Sequence, residues 1–141
     1  MTKGPGKKIA IVENDEILAM LWKETCRAAG YEVVGIATSF SQACRLVAGT
    51  SPDVVIADFA LDDDHDGLEL LHRVMSEQAG LATILVTGWD LAVVQERLAY
   101  VEPGAVLTKP VMPGELLDCL ATLRTGAAQD EVDAVVWAHA A

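Results

Sequence analysis

Short apolar runs alternate with longer stretches of helical period five times along this chain, and that alternation restricts the fold more than any other feature. The runs Lys8–Val12, Glu32–Ile36, Val54–Ala57, Thr83–Val86 and Ala105–Thr108 are short and rich in Val and Ile, which favours strands. Helices are expected between them. Ile17, Leu18, Leu21 and Trp22 put an apolar stripe on residues 16–29, which Gly30 ends. Ser39 or Ser41 caps a helix over residues 40–48, with Phe40, Ala43 and Val47 facing inward. Leu68, Leu71 and Met75 line the helix after Gly67, and Asp90 caps a weaker one over residues 91–99. Pro113 opens the last, where Leu116, Leu117, Leu120 and Leu123 keep helical spacing. A β-α unit repeated five times implies an α/β fold, a parallel sheet with helices on both faces. Right-handed crossovers make it doubly wound.

Folds of this kind bind ligands outside the carboxyl ends of the strands, where the winding direction reverses. Polar groups follow four of the expected strands: Glu13-Asn14-Asp15, Asp58, Thr87 and Lys109. Parallel strands bring them together. A carboxylate at the end of a buried strand is costly unless it is paired or used, so Asp58 is a candidate phosphate acceptor. Phosphoryl transfer to a carboxylate needs a hard cation against the incoming oxygens. Mg²⁺ takes oxygen ligands and keeps several waters, so few protein ligands suffice. Glu13 and Asp58 can supply the metal side, and Thr87 and Lys109 the phosphate side.

Composition narrows the alternatives. A chain of 141 residues, 52% hydrophobic, suffices for one domain with a proper core. Its net charge of −11 argues against direct nucleic-acid binding, which needs Lys and Arg on phosphates. Apolar runs are of strand length, which implies no membrane span. Only a short apolar run follows the basic start, too little for a secretory signal. Cys26, Cys44 and Cys119 lie far apart inside expected helices, as reduced core thiols of a cytoplasmic protein would. The first β-α turn lacks a glycine-rich phosphate loop and no nucleophile-base-acid set appears, which disfavours a nucleotide-binding or hydrolytic enzyme.

Five segments, taken in order, resemble the receiver domains of two-component response regulators. They are Ile11-Val12-Glu13-Asn14-Asp15-Glu16, Pro52-Asp53-Val54-Val55-Ile56-Ala57-Asp58, Asp66-Gly67-Leu68-Glu69-Leu70-Leu71, Val86-Thr87-Gly88 and Leu107-Thr108-Lys109-Pro110. The resemblance implies a flavodoxin-like, doubly wound five-stranded parallel sheet. It divides the chain into a flexible N-terminus (residues 1–6), a receiver domain (7–125) and a tail (126–141). By the same resemblance Asp58 accepts a phosphoryl group from a histidine kinase or phosphotransfer protein. Glu13, Asn14, Asp58 and the carbonyl of Ala60 hold Mg²⁺, Thr87 bonds the phosphate, Lys109 neutralises it, and the Lys109-Pro110 bond is cis. The implied protein is not an enzyme beyond self-catalysed phosphotransfer and dephosphorylation. It signals as a single-domain receiver through a protein-binding surface near residues 88–108. Homodimerisation stays open.

Three positions depart from the family pattern. Asn14 stands where an Asp usually binds the metal, so one negative charge is lost and weak Mg²⁺ binding is implied; Asp15 replaces it if the turn is shifted by one residue. Val106 stands where an aromatic usually moves with Thr87 on activation. The loop Asp62-Asp63-Asp64-His65-Asp66 is longer than usual by about one residue and lacks the usual Pro, and its Leu61-Asp62-Asp63 run is similar to one in receivers attached to hybrid histidine kinases. The first two departures motivate an alternative: a receiver-like binding module that works without phosphorylation.

The acidic loop also matches the first half of a calcium-binding EF-hand loop, as Asp62-x-Asp64-x-Asp66-Gly67. The match then fails, because Arg73 stands where a bidentate Glu is required. Trp89 reads equally as a packing residue or as an exposed anchor for a partner. In the tail, Gly126-Ala127-Ala128 reads as a hinge, and Val132, Val135, Val136 and Trp137 set out a short extra amphipathic helix.

Overall fold

The computed structural model describes residues 7–62, 64–88, 91–98, 101–123 and 136–138. Strands β1 (Lys8–Val12), β2 (Glu32–Ala37), β3 (Val54–Asp58), β4 (Ala82–Thr87) and β5 (Ala105–Thr108) alternate with helices α1 (Glu16–Ala28), α2 (Phe40–Thr50), α3 (Gly67–Glu77), α4 (Leu91–Arg97) and α5 (Pro113–Thr122). All pair in parallel in the order β2-β1-β3-β4-β5, and a short β6 (Val136–Ala138) adds to β5. The winding reverses between β1 and β3, so the crevice of a doubly wound sheet opens where Glu13 and Asp58 lie.

Successive strand residues face opposite sides of the sheet, and two cores result. Ile9, Ile11, Ile56, Ile84, Val86 and Leu107 pack under Trp22 and Cys26 of α1 and Leu116 and Leu120 of α5. Ala10, Val12, Val55, Ala57, Leu85 and Val106 pack under α2, α3 and Val94 of α4. β3 and β4 are buried along their whole lengths, which explains their near-continuous apolar sequence.

The helix starts use the expected chemistry. Asp15 caps α1, and Ser39, rather than Ser41, caps α2. Asp66 and Glu69 form a reciprocal capping box at α3, and Pro113 occupies the first turn of α5.

Two expectations need correction. The inward stripe of α1 is Ala19, Trp22 and Cys26, while Ile17 and Leu21 are 80% and 43% exposed. Helical spacing identifies a stripe but not which neighbouring stripe meets the sheet. In the tail, Val136 and Trp137 belong to a strand rather than to a helix. Pairing with Ala105–Leu107 gives their backbone groups partners that an isolated short helix lacks. Val132, Val135, Trp89, the Asp90 cap, residues 1–6 and the hinge at 126–128 lie outside the described residues.

Candidate phosphoacceptor site

The strand ends deliver the expected side chains to one place. Asp58 is the last residue of β3, Glu13 follows β1, Thr87 ends β4, and Lys109 follows β5. Lys109 Nζ lies 3.3 Å from Asp58 Oδ1 and 3.5 Å from Glu13 Oε1. The two carboxylates are only 4% and 1% exposed, so one ammonium faces two nearly buried acids. The Lys109 backbone N–H donates to the Thr87 carbonyl at 2.8 Å, which fixes the lysine beside the end of β4. The Lys109-Pro110 peptide is cis. Thr87 is fully buried.

Burial pushes the Asp58 carboxyl above the usual carboxylate range, while Lys109, the Ala60 N–H and Glu13 oppose the rise. Burial also raises Glu13; the Asp15 N–H pulls it down, and the nearby Asp58 charge pushes it up again. Glu13 Oε1 is buried and, among the described residues, faces the Lys109 ammonium at 3.5 Å rather than a close hydrogen-bond donor. Two acids against one ammonium form a donor set suited to a hard cation.

The remaining candidates are placed differently. Asn14 is exposed, and its amide Nδ2 donates to the Leu61 carbonyl at 3.2 Å. Asp15 Oδ1 is committed to the α1 cap, taking the N–H groups of Ile17 and Leu18. Ala60 follows directly on β3 and Phe59. Val106 is fully buried against α2–α4 as a core residue. In the acidic loop, the carboxylates of Asp62 and Asp66 accept backbone N–H groups. Asp62 accepts backbone N–H groups from Phe40, Asp64 and His65, and the His65 ring stacks on Phe40.

Three features escaped sequence reasoning. Gly67 N–H donates to the Phe59 carbonyl at 2.8 Å, and a Cβ at position 67 would sit 2.9 Å from the Asp58 carbonyl carbon. Arg97, at the end of α4, pairs with Asp66 and lies over the Phe59 ring, 5.8 Å from its centroid. Finally, an apolar groove of about 690 Å³ borders the site, lined by Leu18, Leu21, Trp22, Gly88 and residues 109–113. Of the residues that line it, Leu21 and Met112 are exposed.

Similarity to known proteins agrees with this geometry. The family model of the response regulator receiver domain matches residues 9–121. The probable transcriptional regulatory protein TcrX of Mycobacterium tuberculosis is 32% identical over 122 residues, which are 84% of this chain and 50% of that protein. The chain thus spans about half of that relative's length. The chemotaxis protein CheY of Thermotoga maritima is 25% identical over 82% of this chain and 95% of its own. A CheY-like response regulator receiver domain protein from Methanospirillum hungatei superposes with a TM-score of 0.73 at 26% identity, covering 80% of this chain and 89% of that one.

Proposed function

The chain belongs to the response regulator receiver family of two-component signalling, and from that premise we propose that it takes a phosphoryl group on Asp58 and signals through a protein-binding surface in the cytoplasm. The observation that carries the proposal is Lys109 Nζ, placed 3.3 Å from a nearly buried Asp58 carboxylate at the switch point of the sheet. An Asp58 oxygen attacks phosphorus, the bond from phosphorus to the donor's imidazole nitrogen breaks, and the imidazole leaves with that electron pair. Lys109 meets the added negative charge and Thr87 accepts the role of phosphate hydrogen-bond donor.

The carboxylates of Glu13 and Asp58, the Ala60 carbonyl and the amide oxygen of Asn14 are the groups that would hold Mg²⁺. When bound, it would offset charge on the transferring phosphoryl oxygens. With an amide in place of one carboxylate, binding is weaker than in a three-carboxylate site. The phosphodonor, a histidine kinase or phosphotransfer protein, approaches over the groove beside Lys109 and Gly88, where apolar side chains stand exposed.

Incubation with acetyl phosphate and Mg²⁺, followed by intact-protein mass measurement, tests the proposal. A gain of one phosphoryl group that disappears in Asp58→Asn is expected. No gain, or a gain that survives the substitution, refutes it and favours a module that binds its partner without phosphorylation.

A further inference from the structure

Three polar residues follow β1. Glu13 Oε2 accepts the Asp15 N–H at 2.9 Å while its Oε1 faces Lys109 Nζ at 3.5 Å, and Asp15 Oδ1 caps α1. Asn14 instead donates from Nδ2 to the Leu61 carbonyl, 47 residues away in sequence. The orientation of this amide follows from chemistry, because a carbonyl only accepts and the nitrogen must face it. The acceptor is well anchored: Leu61 is 2% exposed and packs in the core under α2 and α3. Its chain neighbour Ala60 comes two residues after Asp58. One hydrogen bond therefore joins the turn after β1 to the segment that follows Asp58.

A carboxylate at position 14 cannot make this bond. It has no proton to donate at neutral pH, and it would add a third negative charge beside Glu13 and Asp58. Its repulsion from the Leu61 carbonyl would be relieved by a cation between the two loops, or by turning the side chain into solvent and leaving the loops untied. An amide reverses that situation. We propose that Asn14 is a positioning residue whose amide ties the β1–α1 turn to the β3–α3 loop, so that the site is assembled before any metal ion binds. The importance of the tie rests on Asp58 being the phosphoacceptor; its existence does not. With the nitrogen occupied, the amide oxygen stays available to a cation. Metal binding then supplies charge to a shape that already exists.

Hydrogen exchange tests the tie directly, because the N–H groups of Phe59 and Asp62 have acceptors: the Val86 carbonyl and the His65 carbonyl. Exchange at residues 59–62 is followed with and without Mg²⁺ in the wild type, Asn14→Ala and Asn14→Asp. In the wild type these amides exchange slowly in both conditions. Without Mg²⁺, Asn14→Ala speeds them about tenfold, as expected for loss of one hydrogen bond. Asn14→Asp is fast without Mg²⁺ and slow with it, a metal dependence that simple loosening would not give. Amides of residues 54–57 and 84–86 stay unchanged in all three proteins, which shows that the variants are folded. The proposal is overturned if Asn14→Ala exchanges like the wild type, or if the wild type itself slows about tenfold on adding Mg²⁺. Phosphoryl uptake is measured on the same samples. A wild type that takes no phosphate while Asn14→Ala loosens the loop refutes the phosphoacceptor reading and leaves the tie standing. The opposite pattern does the reverse.

Discussion

Replacing Gly67 by Ala probes how tightly the start of α3 is pressed against β3, the strand that ends in Asp58. The added Cβ would lie 2.9 Å from the Asp58 carbonyl carbon and 3.0 Å from the Phe59 Cα, and closer still to the Asp58 carbonyl oxygen. Ordinary contacts between carbon atoms are about 3.5–4.0 Å. Every obstructing atom is backbone, so no side chain can rotate away; α3 or the end of β3 must move. Overpacking of this kind costs about 1–3 kcal/mol. The same movement stretches the bond from Gly67 N–H to the Phe59 carbonyl, adding about 1 kcal/mol. The better helix propensity of Ala returns at most about 1 kcal/mol, and less in a first turn. A net loss of about 3 kcal/mol is expected. With a urea slope of about 2 kcal/mol per molar, the unfolding midpoint falls by about 1.5 M. Gly49→Ala in α2 and Gly114→Ala in α5 are the controls, because a Cβ at either position meets nothing within 4 Å. Each should hold or raise stability by up to about 1 kcal/mol. If Gly67→Ala unfolds at the same urea concentration as these controls, the close approach is not rigid and the reasoning fails.

Asp58→Asn should stabilise the fold at pH 7. The Asp58 carboxyl is raised by burial, so the native state holds its proton to higher pH than the unfolded chain does. Stability contributed by this group is therefore present in acid and lost as pH rises through the raised native value. The gain from Asn should shrink as urea midpoints are compared at falling pH; a gain that grows toward acid would contradict the burial argument. Arg97 and Asp66 are 35% and 23% exposed, so their pair should contribute only about 0.5–1 kcal/mol in a double-mutant cycle of Arg97→Ala with Asp66→Asn. Asn keeps the α3 cap, whereas Asp66→Ala should lose about 1 kcal/mol more. Burial pushes the Cys26 and Cys119 thiols to about 11 and about 12, so the half-buried Cys44 should be alkylated first in the native protein. Peptide mapping after brief alkylation checks the order, and equal labelling of all three would show that the core opens readily.

The strands were legible because β3 and β4 are covered on both faces, which leaves Val54-Val55-Ile56-Ala57 and its counterpart in β4 almost purely apolar. The convergence of Glu13, Asp58, Thr87 and Lys109 was legible because a parallel, doubly wound sheet places all its carboxyl ends on one side. The inward face of α1 was not. Ala19 and Cys26 are small and carry little weight beside Ile17 and Leu21, yet only their stripe meets the sheet. Asn14 showed its missing charge in the sequence but not its bond to Leu61, which depends on how two distant loops lie. Arg97 and Asp66 are 31 residues apart and gave no local sign of pairing. The strand at Val136 also rests on a remote partner, since it pairs with β5, about 30 residues earlier in the chain.

That last pairing bears on the rim of the sheet. A five-stranded sheet would leave the outer backbone groups of β5 open, a ready template for a foreign strand. Here residues 136–138 cover Ala105–Leu107, so the chain caps the strand that leads into Lys109 with a piece of itself. The C-terminal segment thus acts as a guard rail. Trimming it would leave the fold's centre intact while uncovering an adhesive edge beside Lys109 and Asp58, and the loss would register first as self-association rather than as unfolding.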